Sequence, residues 1–320
     1  MNSISYAEGT YETDIPFTNL PHPEVRSGFD TSFTVAADYI IFTDGSKNAE
    51  GTGSAFVVFA NEEEIYQNSD TLHPNCSIFQ AELCAIYMAV QWCEANLTGS
   101  RVTICSDSAS AINALRNLNN LHPLVRKILN YIPCAQNSYS LEWVRGHQGV
   151  LGNERADLLA REAATIGTSG PFNYSVLPAS FLKLQHWNYS LDLWQQRWDS
   201  YNGLARNFFP SIHDHLSNHW VSPDYETTQF FTGHGRFRAY LQRFGKSTTD
   251  ICTICNCRDG VEHYVYMCPM TEDARHELAL ALSHRGINWP CELHVLLKDS
   301  DTYKAFKKLI HMYHIRSVIH

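Results

Sequence analysis

Four carboxylates in this 320-residue chain stand beside apolar sequence, and their types and spacing suit metal-dependent chemistry. They are Asp44 in TDGS, Glu82 in QAEL, Asp107 in SDS and Asp157 near the end of WVRGHQGVLGNERAD. Each one alone has an ordinary explanation as a turn residue, a helix cap or a surface charge. Glu82, however, lies within the apolar stripe of its own predicted helix, where a bare carboxylate is costly unless it is neutralised or coordinated. Because carboxylate oxygens are hard ligands, the set as a whole predicts a site for Mg²⁺ or Mn²⁺.

The segments that carry these carboxylates predict an α/β fold with a mixed sheet. Three strand-like segments come first, followed by a helix and then by strands and helices in alternation. The predicted strands are Tyr39–Thr43, Ser54–Ala60, Glu64–Leu72, Arg101–Cys105 and Ser140–Val144, and the predicted helices are Ser77–Ala95, Ser108–Leu118, Pro123–Pro133 and Asn153–Ile166. In this arrangement Asp44 and Asp107 follow strand ends, and Asn153 caps the last helix.

The chain divides by composition into three parts. Residues 1–37 contain prolines and no sustained periodicity, which predicts a leader or linker. Residues 38–166 are the predicted α/β domain, and the glycine- and proline-containing stretch Thr168–Pro178 is the predicted boundary. Residues 167–320 are predicted to be mostly helical, with a tryptophan stripe in the core that consists of Trp187, Trp194 and Trp198.

The charge pattern argues against a simple nucleic-acid coat protein. The formal net charge is −9; there are one basic and five acidic residues before position 38, eight and fourteen in 38–166, and fifteen and fourteen in 167–320. Phosphate contacts need local lysine and arginine, whereas an acidic centre neutralised by bound metal is compatible with an acidic chain. The sequence shows neither a secretory signal pattern nor an apolar stretch of membrane length. We therefore expect an intracellular protein, nuclear or cytoplasmic, that does not bind membranes.

A second metal site is predicted near the carboxyl end. Ten cysteines without a secretory pattern favour reduced thiols or a metal site over disulfides. Within 251–268, Cys252, Cys255, His263 and Cys268 have the donor types and spacing of a closed, structural zinc site. Two alternatives stay open, because Cys257 can replace Cys255 and the thiols can instead be reduced core cysteines.

The segment Gly235–Lys246 interleaves arginines with aromatic residues just before the cysteines. Such a pattern suits contact with nucleic acid. It also fits an amphipathic helix whose aromatic side chains are buried and whose arginines face solvent, so both interpretations remain open.

Residues 38–166 resemble the type 1 ribonuclease H domain. Asp44, Glu82, Asp107 and Asp157 match the ordered acidic set of that family, and His147 matches the histidine of its flexible loop. The motifs FTDGSK, FQAEL, SDSASAI and WVRGHQGVLGNERAD look most like the ribonuclease H segment of non-LTR retrotransposon polyproteins. The similarity continues through LDLWQQRWDS, FFTGHGRFRAYLQRFG and CTICNC…EHYVYMCP, which resemble the C-terminal tail of R1/Jockey-like elements. It covers about Tyr39 to Pro269.

The resemblance implies a mixed five-stranded sheet with flanking helices, and a nuclease that cuts the RNA strand of RNA–DNA hybrids with two Mg²⁺ or Mn²⁺ ions. One ion, held chiefly by Asp44 and Asp157, would activate the attacking water. The other, near Asp44, Glu82 and Asp107, would stabilise the leaving 3′ oxygen. Products would carry 5′-phosphate and 3′-hydroxyl ends. His147 would assist product release or proton transfer, although an ordinary loop histidine is the alternative.

Three polar residues are predicted to contact the substrate. Gln80 lies one turn from the metal ligands and is a candidate for a 2′-hydroxyl contact, with a solvent-facing position as its alternative. Ser46 and Ser108, the small polar residues that follow two of the carboxylates, are the other candidates.

Two departures from cellular members of the family predict a weak isolated nuclease. Ile78-Phe79 stands where those members usually carry paired asparagines, and no Lys/Arg-rich helix lies between the third and fourth carboxylates. We expect better activity when a reverse transcriptase supplied in trans, or the tail, holds the substrate. The competing hypothesis is a catalytically decayed retrotransposon remnant that only binds nucleic acid.

Overall fold

The structure is a computed structural model that describes residues 10–30, 36–166 and 173–317. Its internal contacts divide the chain into two compact units, Met1–Gln185 and His186–His320. The division falls inside a helix, Ala179–Asp199, rather than in the predicted boundary Thr168–Pro178, of which residues 168–172 lie outside the described part.

The first unit contains a five-stranded mixed sheet. Its strands are β1 (Tyr39–Lys47), β2 (Thr52–Ala60), β3 (Glu63–Leu72), β4 (Arg101–Ser106) and β5 (Ser138–Trp143). Its helices are α1 (Ile78–Asn96), α2 (Ala109–Arg116), α3 (Pro123–Tyr131) and α4 (Leu151–Ile166), with short 3₁₀ segments at Phe17–Asn19, Pro23–Val25 and Ile132–Cys134. The sheet order is β3-β2-β1-β4-β5, where the first three strands are antiparallel and β4 and β5 run parallel to β1. The predicted α/β fold with a mixed five-stranded sheet is confirmed.

Alternating side chains of β2 face opposite sides of this sheet, as the two-residue period of a strand requires. Phe56 and Val58 pack into the larger core with α1, α2 and α3. Ala55 and Val57 pack on the other side against α4. The sheet is therefore a middle layer, and the helix that carries Asp157 covers the face opposite to the one that α1 covers.

Two predicted element ends are wrong in a way that affects the acidic residues. β1 does not end before Asp44, because its antiparallel ladder with β2 continues to Lys47 and pairs Asp44 with Ala55. α4 begins at Leu151, so Asn153 is an interior helix residue and not the N-cap. Its side chain is buried.

The described part of the predicted leader packs on the sheet domain and is not a free linker. The backbone N–H of Glu12 donates to the carbonyl of Leu177 at 2.7 Å. The buried Glu12 carboxylate accepts from the Tyr174 hydroxyl at 2.6 Å and lies 2.9 Å from Nε2 of His122. These hydrogen bonds hold the pKa of Glu12 below its usual range, although burial acts in the opposite direction. Residues before and after the sheet domain thus meet on its surface.

The second unit is helical. Besides the end of α5 (Ala179–Asp199) it contains α6 (Ala205–Phe208), α7 (Ile212–Ser217), α8 (Tyr225–Thr232), α9 (Arg238–Gln242), α10 (Val261–Tyr266), α11 (Glu272–Ser283) and α12 (Ser300–Ser317), with 3₁₀ segments at Pro269–Thr271 and Leu293–Leu297. Its core is rich in aromatic rings, among them Phe230, Phe306 and Tyr313. The expected burial of the tryptophan stripe is wrong for Trp187 and Trp194, which are 55% and 45% exposed. Within the described residues, the structure has no helix that is both long and apolar enough to span a membrane.

Candidate functional site

Asp44, Glu82 and Asp107 meet at one edge of the sheet. Each offers a carboxylate oxygen, and the three oxygens lie within 4.8 Å of one another. Parallel pairing of β1 with β4 ends at Thr43 and Ser106, so Asp44 and Asp107 come directly after the last paired residues. Three of the four predicted metal ligands are therefore together, although they are separated by dozens of residues in the chain.

Glu82 reaches this edge because α1 lies very close to β1. A Cβ on Gly45 would lie 2.9 Å from the Cβ of Ala81 and closer still to the backbone nitrogen of Glu82, so only glycine permits this approach. The start of α1 is fixed by a capping box in which Ser77 and Gln80 bond each other's backbone N–H groups. The helix consequently presents Glu82 in its second turn, beside Asp44.

Asp44 and Glu82 are held where a negative charge is unfavourable. Burial, and then the charges of Asp107 and Asp157, raise the pKa of Asp44 from 3.8 to about 7, while Arg161 lowers it. Burial, and then Asp44 and Asp107, raise the pKa of Glu82 well above its usual range. Oε2 of Glu82 is buried without a hydrogen-bond partner among the described residues. A bound cation would relieve both the repulsion and the unpaired oxygen.

Asp107 is positioned by the last residue of β5 and by residues that follow this strand. Its carbonyl accepts from Nε1 of Trp143 at 3.0 Å, and its Oδ2 lies 3.4 Å from Nδ2 of Asn153. A Cβ on Gly146 would lie 2.6 Å from the same Oδ2, so a larger residue at this position would displace the carboxylate. The loop and the first turn of α4 thus fix one side of the acidic site.

Asp157 does not belong to the mutual cluster of the other three carboxylates. Its carboxylate groups instead with His147 and Glu154, and ligand atoms of these three residues lie within 4.8 Å of one another. It forms a close ion pair with Arg161, one turn further along α4. It remains near enough to Asp44 to raise the pKa of that residue.

Glu154 was not predicted to take part in the site. Helical spacing was the signal that could have found it, because residues three apart on a helix lie on the same face. Glu154 precedes Asp157 by three residues in α4, and the exposed His147 lies in the loop before the helix. His147 itself has a left-handed backbone with a φ of +53°.

The predicted substrate residues fall into two classes. Gln80 is completely buried, accepts from the backbone N–H of Ser77 at 2.9 Å and donates to the carbonyl of Val176 at 3.0 Å. Its side chain is committed to these contacts, so neither the predicted substrate contact nor the solvent-facing alternative is supported. Ser108 is the N-cap of α2, and Ser46 is half-buried in β1.

Comparison with known proteins identifies the family of the sheet domain. The family model described as RNase H matches residues 36–165. These residues form an RNase H domain. A retrovirus-related Pol polyprotein from type-1 retrotransposable element R1 4 of Nasonia vitripennis is 28% identical over 120 residues, which are 37% of this chain and 30% of that protein. The corresponding polyprotein from element R1 of Bradysia coprophila is 36% identical over 87 residues, which are 27% of this chain and 9% of that protein.

A cellular enzyme aligns over most of its length. Ribonuclease H of Bartonella quintana is 26% identical over 137 residues, which are 39% of this chain and 88% of that protein. By contrast, the chain spans less than a third of the length of the two retrotransposon relatives. The RNase H domain and the likeness to R1 polyproteins agree with the family resemblance seen in the sequence.

C-terminal to the RNase H domain, the structure brings a second group of ligand atoms together. Those of Cys252, Cys255, His263 and Cys268 lie within 4.8 Å of one another, and Sγ of Cys255 is 3.3 Å from Nε2 of His263. The thiol of Cys257 instead donates to the carbonyl of Cys255 at 3.6 Å and is not part of the group. The geometry therefore selects Cys255 over Cys257.

A tight turn positions the first pair of cysteines. The other two donors lie in and just after the helix α10. The backbone N–H of Cys252 donates to the carbonyl of Cys257 at 2.8 Å, and Asn256 between them has a φ of +61°. His263 lies in α10, and Cys268 follows two residues after that helix ends. Burial, followed by the neighbouring Cys252 and Cys255, raises the pKa of Cys268 to about 12. Buried thiols of this kind are neutral until a metal draws off their protons.

Proposed function

We propose that the chain is a metal-dependent endonuclease that hydrolyses the RNA strand of RNA–DNA hybrids. The observation that carries the proposal is the convergence of Asp44, Glu82 and Asp107 in an RNase H domain, with one Glu82 oxygen buried and unpaired among the described residues. Such a cluster has no structural advantage by itself, because its charges repel one another in a poorly solvated place. A bound cation would offset the repulsion between these carboxylates.

The donor set fits Mg²⁺ or Mn²⁺, which prefer carboxylate oxygens. Asp44, Glu82 and Asp107 would hold one ion, and Asp44 with Asp157 would hold a second. Bound ions supply Lewis-acid activation of water and stabilisation of the leaving 3′ oxygen, and the products would be 5′-phosphate and 3′-hydroxyl ends. The protein orients the donors: the Trp143 indole and the Asn153 amide, both in contact with Asp107, fix that residue beside the others.

His147 is suited to proton transfer at the exposed side of this site. It lies next to two carboxylates, Glu154 and Asp157, and its ring is open to solvent. Histidine side chains act as general acids and bases, so this one can take up or release a proton as product leaves. Ser46 and Ser108 stay proposed as substrate contacts, whereas Gln80 supports α1 from within.

A cleavage assay on a labelled RNA–DNA hybrid tests the proposal. The full chain with Mg²⁺ should shorten the RNA strand only, and Asp44→Asn or Asp107→Asn should abolish cleavage. Glu50→Gln, which changes an exposed carboxylate between β1 and β2, is the matched control and should cleave normally. Binding without cleavage by the unmodified chain, also after a reverse transcriptase is added in trans, would identify the non-catalytic remnant instead.

We also propose a structural zinc site made by Cys252, Cys255, His263 and Cys268. The support is the closeness of three sulfurs and one imidazole around a buried position, which is the donor set of closed tetrahedral zinc sites. Zinc in such a site contributes directly to folding. Elemental analysis of the purified full chain should find one zinc per chain, and a metal-free chain that folds equally well would refute the proposal.

A further inference from the structure

Two open cavities of the second unit share one wall. The first, of about 620 Å³, lies beside the Cys/His cluster and is lined by Tyr240, Arg243, Arg258 and the cluster's His263, among others. The second, of about 660 Å³, is lined by Tyr225 and Arg236. Thr232 and His234 line both. We call the two together the His234 groove, and each half is within the roughly 300–1,000 Å³ of small-ligand sites.

The His234 groove presents aromatic faces to solvent. The rings of His234 and Tyr240 are stacked, with centroids 4.8 Å apart and an interplanar angle of 27°. Phe244 contacts Tyr240 edge to face at 5.1 Å and is 62% exposed. Tyr225, in the other half, is 77% exposed. Tyr240 is partly buried against the core of the second unit, whereas Phe244 and Tyr225 bury little surface in the folded chain, so core packing does not explain these two rings.

The charges of the groove are positive on balance. Arg236, Arg243 and Arg258 line it, and Glu262 is the one carboxylate among the lining residues of both halves. Arg258 lies 3.5 Å from Asp250, whereas within the described residues no carboxylate lies within 4.0 Å of Arg236 or Arg243.

The interleaved segment Gly235–Lys246 therefore has two parts with different tasks. Phe237 is buried in the core, and the partly buried Arg238 lies 3.9 Å from the carboxylate of Asp259. These two residues therefore stabilise the fold of the second unit. The remaining arginines and rings of the segment face the groove or solvent. The segment is therefore neither a single amphipathic helix nor a nucleic-acid contact along its whole length, because the helix α9 covers only its middle.

We propose that the His234 groove binds unpaired nucleotides of a single-stranded nucleic acid. Bases would stack on the exposed faces of His234, Tyr240 and Tyr225, and phosphates would contact Arg236 and Arg243. Flat rings combined with unpaired cations are the combination that single-strand sites use. A duplex keeps its bases stacked on each other and cannot offer their faces to the rings. This proposal is independent of the nuclease activity proposed above, and it supplies the second unit with a function of its own.

The test is fluorescence anisotropy with the full, zinc-containing chain and no added Mg²⁺. The probes are labelled twelve-residue strands of oligo(rU) and oligo(dT), together with a blunt duplex of the same length. We expect single strands to bind at least about tenfold more tightly than the duplex, and the two strands decide between RNA and DNA. Equal or tighter binding of the duplex would overturn the proposal, as would no binding of either strand at high micromolar protein.

Matched variants locate the binding. Tyr240→Leu, which keeps an apolar side chain but loses the ring, should weaken single-strand binding about tenfold, and Tyr240→Phe should restore it. Arg243→Gln should weaken binding and reduce the slope of log affinity against log salt by about one. Arg285→Gln, whose guanidinium pairs with Asp299 outside the groove, is the control and should bind normally.

Two readouts keep the result interpretable. Zinc content and far-UV circular dichroism show whether the Tyr240→Leu variant is folded. If that variant is unfolded, the binding of Arg243→Gln, which changes an exposed side chain, tests the proposal. Single-strand binding that is unchanged in both variants would refute the groove. Hybrid cleavage by these variants reports on the RNase H domain separately, so failure of one proposal does not imply failure of the other.

Discussion

Replacing Asp44 by asparagine should make the metal-free RNase H domain more stable while it removes activity. The pKa of Asp44 rises from 3.8 to about 7 on folding because the carboxyl is buried among other carboxylates. A raised pKa means that the folded state resists ionisation, so stability is greatest below pH 3.8 and falls as pH rises to about 7. At about 1.4 kcal/mol per pKa unit, the full loss above pH 7 is about 4 kcal/mol.

The size of the effect depends on pH in a way that identifies its cause. Asparagine cannot ionise, so Asp44→Asn should gain about 4 kcal/mol of unfolding free energy at pH 8 and only about 1 kcal/mol at pH 4.5. Cavity or packing effects of the substitution would be the same at both pH values. Glu50→Gln, at an exposed position, should change stability at neither pH.

The assay must report on the RNase H domain alone, because the chain has two compact units. Urea titration with hydrogen-exchange mass spectrometry of peptides from β1 to β4 meets this requirement. Saturating Mg²⁺ should stabilise the unmodified domain, since the ion binds the folded state only. The difference in unfolding free energy between the Asp44→Asn variant and the unmodified domain should therefore become smaller. Destabilisation by Asp44→Asn at pH 8, or an equal gain at pH 4.5 and pH 8, would refute the claim that repulsion in the acidic cluster opposes folding.

Three further predictions test separate parts of the structure. Arg161→Gln removes the ion-pair partner of Asp157, so Mn²⁺ should bind roughly two- to fivefold more tightly by calorimetry at pH 8; weaker binding would contradict this. Cys255→Ser should lower the zinc content of the full chain and destabilise its second unit, whereas Cys257→Ser should keep one zinc per chain. Ser77→Ala breaks the capping box of α1 and should cost the RNase H domain about 1 kcal/mol in the urea titration; an unchanged midpoint would show that the cap is dispensable.

Most of the fold was predictable because strands and helices of this chain carry strong periodic signals. The helix α1 was predicted within one or two residues at each end, since its apolar spacing is regular and Ser77 is a good N-cap. The end of β1 was missed because Asp44-Gly45 looks like a turn, whereas the antiparallel ladder with β2 continues past it. Pairing with a distant segment is information that local sequence does not contain.

The candidate site was predictable in composition but not in arrangement. Asp44 and Asp107 converge because each follows the paired end of a parallel strand, which the predicted fold implies, and Glu82 joins them from α1. Asp157 lies outside this cluster and pairs with Arg161, and the sequence does not reveal this because i,i+4 ion pairs are common on helix surfaces. Gln80 was misread because the sequence shows its position on the helix but not that a later segment, Val176, accepts from its amide.

The contacts of residues outside 36–165 bear directly on the acidic site. Gln80 precedes Glu82 by two residues and is anchored both by Ser77 and by the carbonyl of Val176. Leu177, the next residue, accepts from the backbone of Glu12, so segments from before and after the matched domain meet at the first turn of α1. The flanking segments therefore anchor the turn of α1 that precedes Glu82, and the folded unit extends beyond the region that the family model recognises.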